Sequence, residues 1–107
     1  MRIAVLIAGA CVLALPRAAV AQQNFDTVQV RSQKVADGVY MLVGAGGNIG
    51  LSIGDEAVFV VDDQYAPLTP KILAAIAPLT SKPVRFVLNT HWHGDHIGGL
   101  PELLPQM

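Results

Sequence analysis

Asn89 to Gly99 reads NTHWHGDHIGG and gathers every histidine of the 107-residue chain, His91, His93 and His96, around one acid, Asp95. His91 and His93 are two apart, so on an extended segment their rings project to one side and can share a cation while Trp92 turns the other way. Gly94 lets the backbone turn sharply before Asp95 and His96, which presents a second pair of donors at a different angle, suited to a neighbouring ion. Imidazole nitrogen with a single carboxylate suits zinc best, with iron and manganese as the other fitting ions. One histidine alone is ordinarily core or surface packing. Three with an aspartate inside six residues, and none elsewhere, are hard to obtain that way.

The elements that must hold this cluster are legible on either side of it. VRFVLN, ending at Asn89, is a β-rich run that leads directly into the histidines. Before it, Thr69 can cap a helix with Pro70 at the first position, and Ile72, Leu73, Ile76 and Leu79 share one face until Pro78 and Pro83 punctuate the end. EAVFVVD, ending at Asp62, is a continuous apolar run and reads as a buried strand. Strand, helix and returning strand predict a βαβ unit with parallel strands. Its binding site lies at the carboxyl ends of those strands, where both Asp62 and His91 sit.

Further upstream, VQVRSQKVA, GVYMLVG and NIGLSIG read as short strands of an antiparallel meander, with Gly54 to Glu56 as the hairpin turn into the buried strand. GAGG, Gly44 to Gly47, lacks the Lys and Ser/Thr of a phosphate loop and reads as turn chemistry. No internal repeat or low-complexity segment is visible.

Length predicts a single domain. Hydrophobic residues make up 52% of the chain, but part of that belongs to the first twenty residues, which read as an export leader. Arg2 is followed by an apolar run from Ile3 to Leu15, and small residues at Ala19 and Ala21 precede Gln22, so residues 1–21 are expected to be a signal peptide and residues 22–107 the domain. The run is short of the roughly 20 residues needed to span a bilayer, which argues against a stable membrane anchor. Lipidation at Cys11 is disfavoured by Ala8, where a larger aliphatic residue is wanted. Cleavage after Ala21 would remove the one cysteine, leaving no disulfide and no thiolate ligand, and would place the domain in the periplasm or outside the cell. Of seven basic residues Arg2 and Arg17 would leave too, so five would face eight acidic ones. No basic stretch remains to bind nucleic acid.

His91-Trp92-His93-Gly94-Asp95-His96 resembles the HxHxDH signature of the metallo-β-lactamase-fold hydrolases. GVYMLVG, the Gly-rich turn, AVFVVDD, the helix and VRFVLNTHWHGDH follow in that family's order, and Gly98-Gly99 fits the start of the helix that comes next. The resemblance covers about residues 35 to 100 and implies an α/β (α+β) fold, the N-terminal half of an αβ/βα sandwich. It assigns His91 and His93 to a first zinc site and Asp95 and His96 to a second. Asp62 matches a buried aspartate that supports the metal-binding loop through hydrogen bonds and orients a ligand rather than binding metal.

An oxygen-and-nitrogen second site resembles glyoxalase II-like enzymes and the third subclass of metallo-β-lactamases more than members with a cysteine there. The resemblance implies zinc-assisted hydrolysis of an amide, ester or thioester in a small-molecule substrate, with Asp95 as the catalytic residue that orients the attacking water. The family pattern uses three further ligands downstream, a His, a bridging Asp and another His, and none follows His96 before Met107. The tail LPELLPQM, with Pro101 and Pro105, is also unlike the helix and strand that should follow. The expectation is therefore a partial domain with weak zinc binding, little turnover and self-association through an uncovered sheet. The alternative is a non-catalytic fragment or a small metal-binding or association module.

Overall fold

The computed structural model describes residues 23–107, and the leader expected over residues 1–21 lies outside them. Alternation decides how the sheet is faced. In β3 (Ile49–Ile53) and β4 (Val58–Val61), Ile49, Leu51, Val58 and Val60 are buried while Ser52 and Phe59 are exposed, the period-two pattern of strands covered on one side. With β1 (Arg31–Ala36), β2 (Val39–Val43) and β5 (Val84–Leu88) they make a five-stranded sheet in the order β1-β2-β3-β4-β5. The first four strands form the expected antiparallel meander, and β5 lies parallel to β4.

That parallel step requires a crossover, and α1 (Thr69–Ile76) provides it, so the βαβ unit is present. Ile72 and Ile76 face the sheet and join Leu42, Ile49, Leu51, Val58, Val60, Leu68 and Val84 in one buried cluster. Each such side chain contributes about 1.5–3 kcal/mol on burial. In β5, Val58 pairs with Val84 but Phe59 with Phe86, so Arg85 is an extra residue on that strand. The bulge lets Val84 and Val87, three apart, both pack inward.

Two local expectations are corrected. Thr69 does not cap α1; a 3-10 turn over Ala66–Leu68 runs straight into the helix, and the Thr69 N–H is already taken by the Ala66 carbonyl. Thr69 therefore sits within a continuous helical path, its buried Oγ1 without a hydrogen-bond partner among the described residues. The tail is helical rather than irregular. After α2 (Gly94–Ile97), α3 spans Leu100–Leu103, and Pro101 falls in its first turn, where a missing N–H costs nothing. Leu103 is buried to 1% exposure and anchors that turn.

Lys71, on α1, donates from Nζ to the carbonyls of Phe25, Asp26 and Val28 at 2.7–2.8 Å, tying the segment before β1 to the helix. Lys71→Met keeps the aliphatic stem and removes three charge-assisted bonds. It is expected to lower stability by about 1–2 kcal/mol, less than fully buried bonds because the ammonium is partly exposed. Chemical denaturation monitored by circular dichroism reads this directly.

The other face of the sheet is apolar and open. Phe59 and Phe86 stack with centroids 5.9 Å apart, and Phe86 and Leu88 are 55% and 52% exposed. A second sheet covers such a face in a sandwich. No helix among the described residues is long and apolar enough to cross a membrane.

Candidate metal centre

β4 and β5 end side by side, with the Asp62 N–H bonded to the Leu88 carbonyl at 2.8 Å. The histidine loop leaves β5 at that point, and Asp62 leaves β4 opposite it. Asp62 is 4% exposed, and its φ of 64° is in the left-handed region, which an Asp tolerates better than most residues. Oδ1 accepts the Thr90 N–H at 2.7 Å, while Oδ2 lies 2.8 Å from the Thr90 hydroxyl and 2.7 Å from His96 Nδ1. Burial works against its charge, yet the bonds from Thr90 and His96 hold its carboxyl below the ordinary 3.8.

An ionised carboxylate only accepts, so the Thr90 hydroxyl and His96 Nδ1 must both donate to it. The hydroxyl has one hydrogen. Having spent it on Asp62, Thr90 Oγ1 accepts from His91 Nδ1, 2.8 Å away. One carboxylate thereby sets the tautomer of two rings, directly at His96 and through Thr90 at His91. In a neutral ring that tautomer leaves Nε2 as the free lone pair, the form in which imidazole binds a metal.

The neighbouring Asp63, 1% exposed, grips the same loop from another side. Its Oδ2 accepts from the Asn89 amide at 2.9 Å and its Oδ1 from the Gly99 N–H at 2.8 Å, while its own N–H bonds to the His96 carbonyl at 2.9 Å. Burial pushes the Asp63 carboxyl above its ordinary value, opposed by the Asn89 and Gly99 bonds. Asn89 donates to the His96 carbonyl as well, closing a ring of bonds around the loop's return.

Donor atoms of Asp62, His91 and His96 lie within 4.8 Å of one another. The His91 and His96 ring centroids are 4.0 Å apart, and the His93 ring stands edge-on to His91 at 4.7 Å. Asp95 Oδ2 is 3.6 Å from His96 Nε2, too long for a hydrogen bond. It is close to the roughly 3.4 Å that separates two ligands each about 2.1 Å from a tetrahedral ion. A Cβ on Gly47 would fall 2.4 Å from His96 Nε2, so the ring packs closely on the bare backbone of Gly47. The residues present fit a small divalent cation in their chemistry and in the spacing of their donor atoms.

His91 and His93 are thus on the loop after β5 and Asp95 and His96 in the short α2 that follows, with Asp62 beside them at the end of β4. Both Asp62 oxygens are engaged in hydrogen bonds with Thr90 and His96, and the same carboxylate lies in the donor cluster with His91 and His96. Gly94, expected to be the glycine that turns the chain, sits at the start of α2 with nothing within 4 Å of where a Cβ would be. The crowded glycines are Gly44, Gly46, Gly47, Gly98 and Gly99. Thr90, Asn89, Asp63, Gln64 and Gly47 were not singled out from sequence as parts of the site. Thr90 and Asn89 stand immediately before the first histidine, and Asp63 and Gln64 immediately after Asp62, so adjacency to the motif was the available signal.

A parallel strand pair that delivers histidines and carboxylates to one end defines a metal-binding α+β protein. The chain belongs to the metallo-beta-lactamase superfamily, whose family profile matches residues 42–106. It is similar to the lactamase-like protein aptB of Emericella nidulans, 35% identical over 51 residues, which are 48% of this chain and 16% of that protein. An atrochrysone carboxyl ACP thioesterase of Aspergillus chevalieri is likewise 35% identical over 51 residues, 48% of this chain and 17% of the relative. The chain therefore spans about a sixth of the length of these curated relatives. Among solved structures, the metallo-beta-lactamase FIM-1 of Pseudomonas aeruginosa, crystallised in a mono-zinc form, matches with a TM-score of 0.65 and 25% identity. That match covers 74% of this chain and 39% of the other. The match is to part of that fold, as expected from the sequence.

Proposed function

We propose that these residues form the metal-binding loop of an exported zinc-dependent hydrolase acting on an amide, ester or thioester carbonyl. The observation that carries the reading is the bond path from Asp62 to His96 and, through Thr90, to His91, which engages both Nδ1 atoms and leaves Nε2 of two rings, their centroids 4.0 Å apart, for a metal. His91 and His93 would hold one ion and Asp95 and His96 another. Zinc bound there supplies Lewis acidity toward a carbonyl oxygen and acidifies water. Asp95 orients the attacking water, Asp62 keeps His96 pointed, and Thr90 keeps His91 pointed. The similarity to a thioesterase and to a lactamase supports hydrolysis of an acyl bond, and both substrate kinds belong in the assay.

Catalytic zinc ordinarily has three protein ligands, and all three histidines of this sequence lie between His91 and His96. The 107 residues by themselves are therefore expected to lose most zinc on dialysis and to show little turnover. Zinc content after dialysis, with nitrocefin and thioester assays alongside, checks this; two tightly held zincs with turnover contradict it. The enzyme reading itself is tested by the coding sequence beyond the Met107 codon. Codons there for a His, an Asp and a His, with chelator-sensitive hydrolysis by the longer product, carry it. Their absence favours instead a non-catalytic association module, a reading supported by the open Phe59, Phe86 and Leu88 face.

A further inference from the structure

Gln64 is wholly buried, at 0% exposure, and holds a left-handed backbone with φ 55°, costly for a residue that is neither Gly nor Asn. Neither the metal ligands nor the acids beside it account for that burial. Its side chain reaches across to the Gly44–Gly47 turn between β2 and β3. There Nε2 donates to the Gly47 carbonyl at 2.6 Å, and Oε1 accepts from the Ala45 N–H at 3.4 Å. Its own carbonyl accepts the Gly99 N–H at 3.1 Å. One buried amide thus joins a turn that is remote in sequence to the far end of the histidine loop.

What that turn touches gives the arrangement a purpose. A Cβ on Gly46, whose φ is 76°, would lie 2.5 Å from Asp95 Cβ, and one on Gly47 would lie 2.3 Å from His96 Cε1. The bare backbone of the turn is therefore a wall against the two ligands of the second site. His96 is held at Nδ1 by Asp62, but a single hydrogen bond leaves its ring free to swing about that contact. The turn blocks the swing on one side. Gly44 completes the fit, since a Cβ there would meet Gln64 Oε1 at 2.6 Å, so turn and amide are matched to each other.

We propose that Gln64 is a positioning residue for the second metal site, acting through the Gly44–Gly47 turn to fix the His96 ring and Asp95. The assignment rests on the metal-site reading above and deepens it. Gln64→Leu keeps the buried volume and removes both side-chain bonds to the turn. In the full chain, titrated with zinc alone against a chromophoric chelator, it is expected to weaken binding about tenfold, the lower end for supporting groups behind a ligand. In the metal-free protein the ring ¹⁵N resonances of His96 are expected to move while those of His91 and His93 stay.

A role confined to packing predicts otherwise: a lower melting temperature with all three histidine signals shifted alike, or zinc affinity unchanged. Either result overturns the assignment. Should Gln64→Leu fail to fold, Gly47→Ala reads the same contact from the other side with the Gln64 bonds to the turn still available. It is expected to displace the His96 ring signals selectively, and unmoved signals overturn the proposal. A wild-type chain that binds no zinc would count against the metal reading, whereas the selective movement of His96 would still decide the role of Gln64.

Discussion

Asp62→Asn is expected to give a folded chain that binds zinc about 10- to 100-fold more weakly, the loss typical when a ligand's hydrogen-bond partner is removed. Asparagine tolerates the left-handed φ of 64° at this position as aspartate does, so the backbone need not move. Its amide oxygen can still accept the Thr90 N–H bond that Oδ1 accepts now. The atom replacing Oδ2, however, becomes a donor. It cannot accept from His96 Nδ1 or from the Thr90 hydroxyl, so His96 loses the partner that kept its proton on Nδ1, and the path to His91 is cut as well. Asp62→Ala removes all three bonds and should cost about 2 kcal/mol of stability in addition, since Thr90 is exposed and water replaces part of what it loses.

The two variants separate orientation from stability, read by zinc titration and by denaturation. Acid sensitivity gives a third reading. Because the folded carboxyl is held below its ordinary 3.8, Asp62 stabilises the fold above that pH, and the contribution is lost as pH falls through the depressed value. Asparagine does not titrate, so the stability of Asp62→Asn should depend less on pH across that window.

Most of the fold was legible because periodicity and turn residues are local signals. GVYMLVG, NIGLSIG and EAVFVVD each contain the strand expected, and the change of period at Thr69 marked the crossover that makes β4 and β5 parallel. The errors came where local signals met tertiary context. Thr69 has the chemistry of a helix cap, yet a preceding 3-10 turn had already satisfied its N–H. LPELLPQM carries two prolines, but each falls in the first turn of a short helical element, where proline is tolerated, and burying Leu103 holds the segment down.

The ligand set was legible from spacing, while its supports were not, for a physical reason. Metal ligands must cluster on a short loop, so they leave a pattern in sequence. The groups that orient them need only be near in space. Gln64 and Gly47 are 17 residues apart and the Asp62–His96 pair 34, and no periodicity records such contacts. The Gly-rich turn shows the limit plainly. Its composition announced a turn, but that Gly47 faces His96 could not be read until β2, β3 and the βαβ unit were assembled.

Glycines in the motif allow the sharpest contrast between what a sequence suggests and what the packing demands. Gly99→Ala is expected to destabilise the chain by about 2–3 kcal/mol, in the upper part of the range for overpacking a close contact. Backbone conformation is not the cause, for Gly99 sits at φ −81° and ψ −15°, open to any residue. The cause is the Asp63 carbonyl oxygen, which an added Cβ would approach to 2.3 Å. Backbone cannot rotate aside like a side chain, so α2 or Asp63 must shift. Either movement stretches the Gly99 N–H bond to Asp63 and the Asp63 N–H bond to the His96 carbonyl. Zinc affinity should therefore fall along with stability, because the strut that seats His96 is displaced. Gly94→Ala, inside the HxHxDH motif itself, meets nothing within 4 Å and should change stability by less than about 0.5 kcal/mol. Thermal melts of the two variants side by side decide the matter. At roughly 4–8 °C per kcal/mol for a domain of this size, Gly99→Ala should melt about 10–20 °C lower and Gly94→Ala within a few degrees of the parent. Equal melting temperatures would mean that the histidine loop is not seated on Asp63 in the way described.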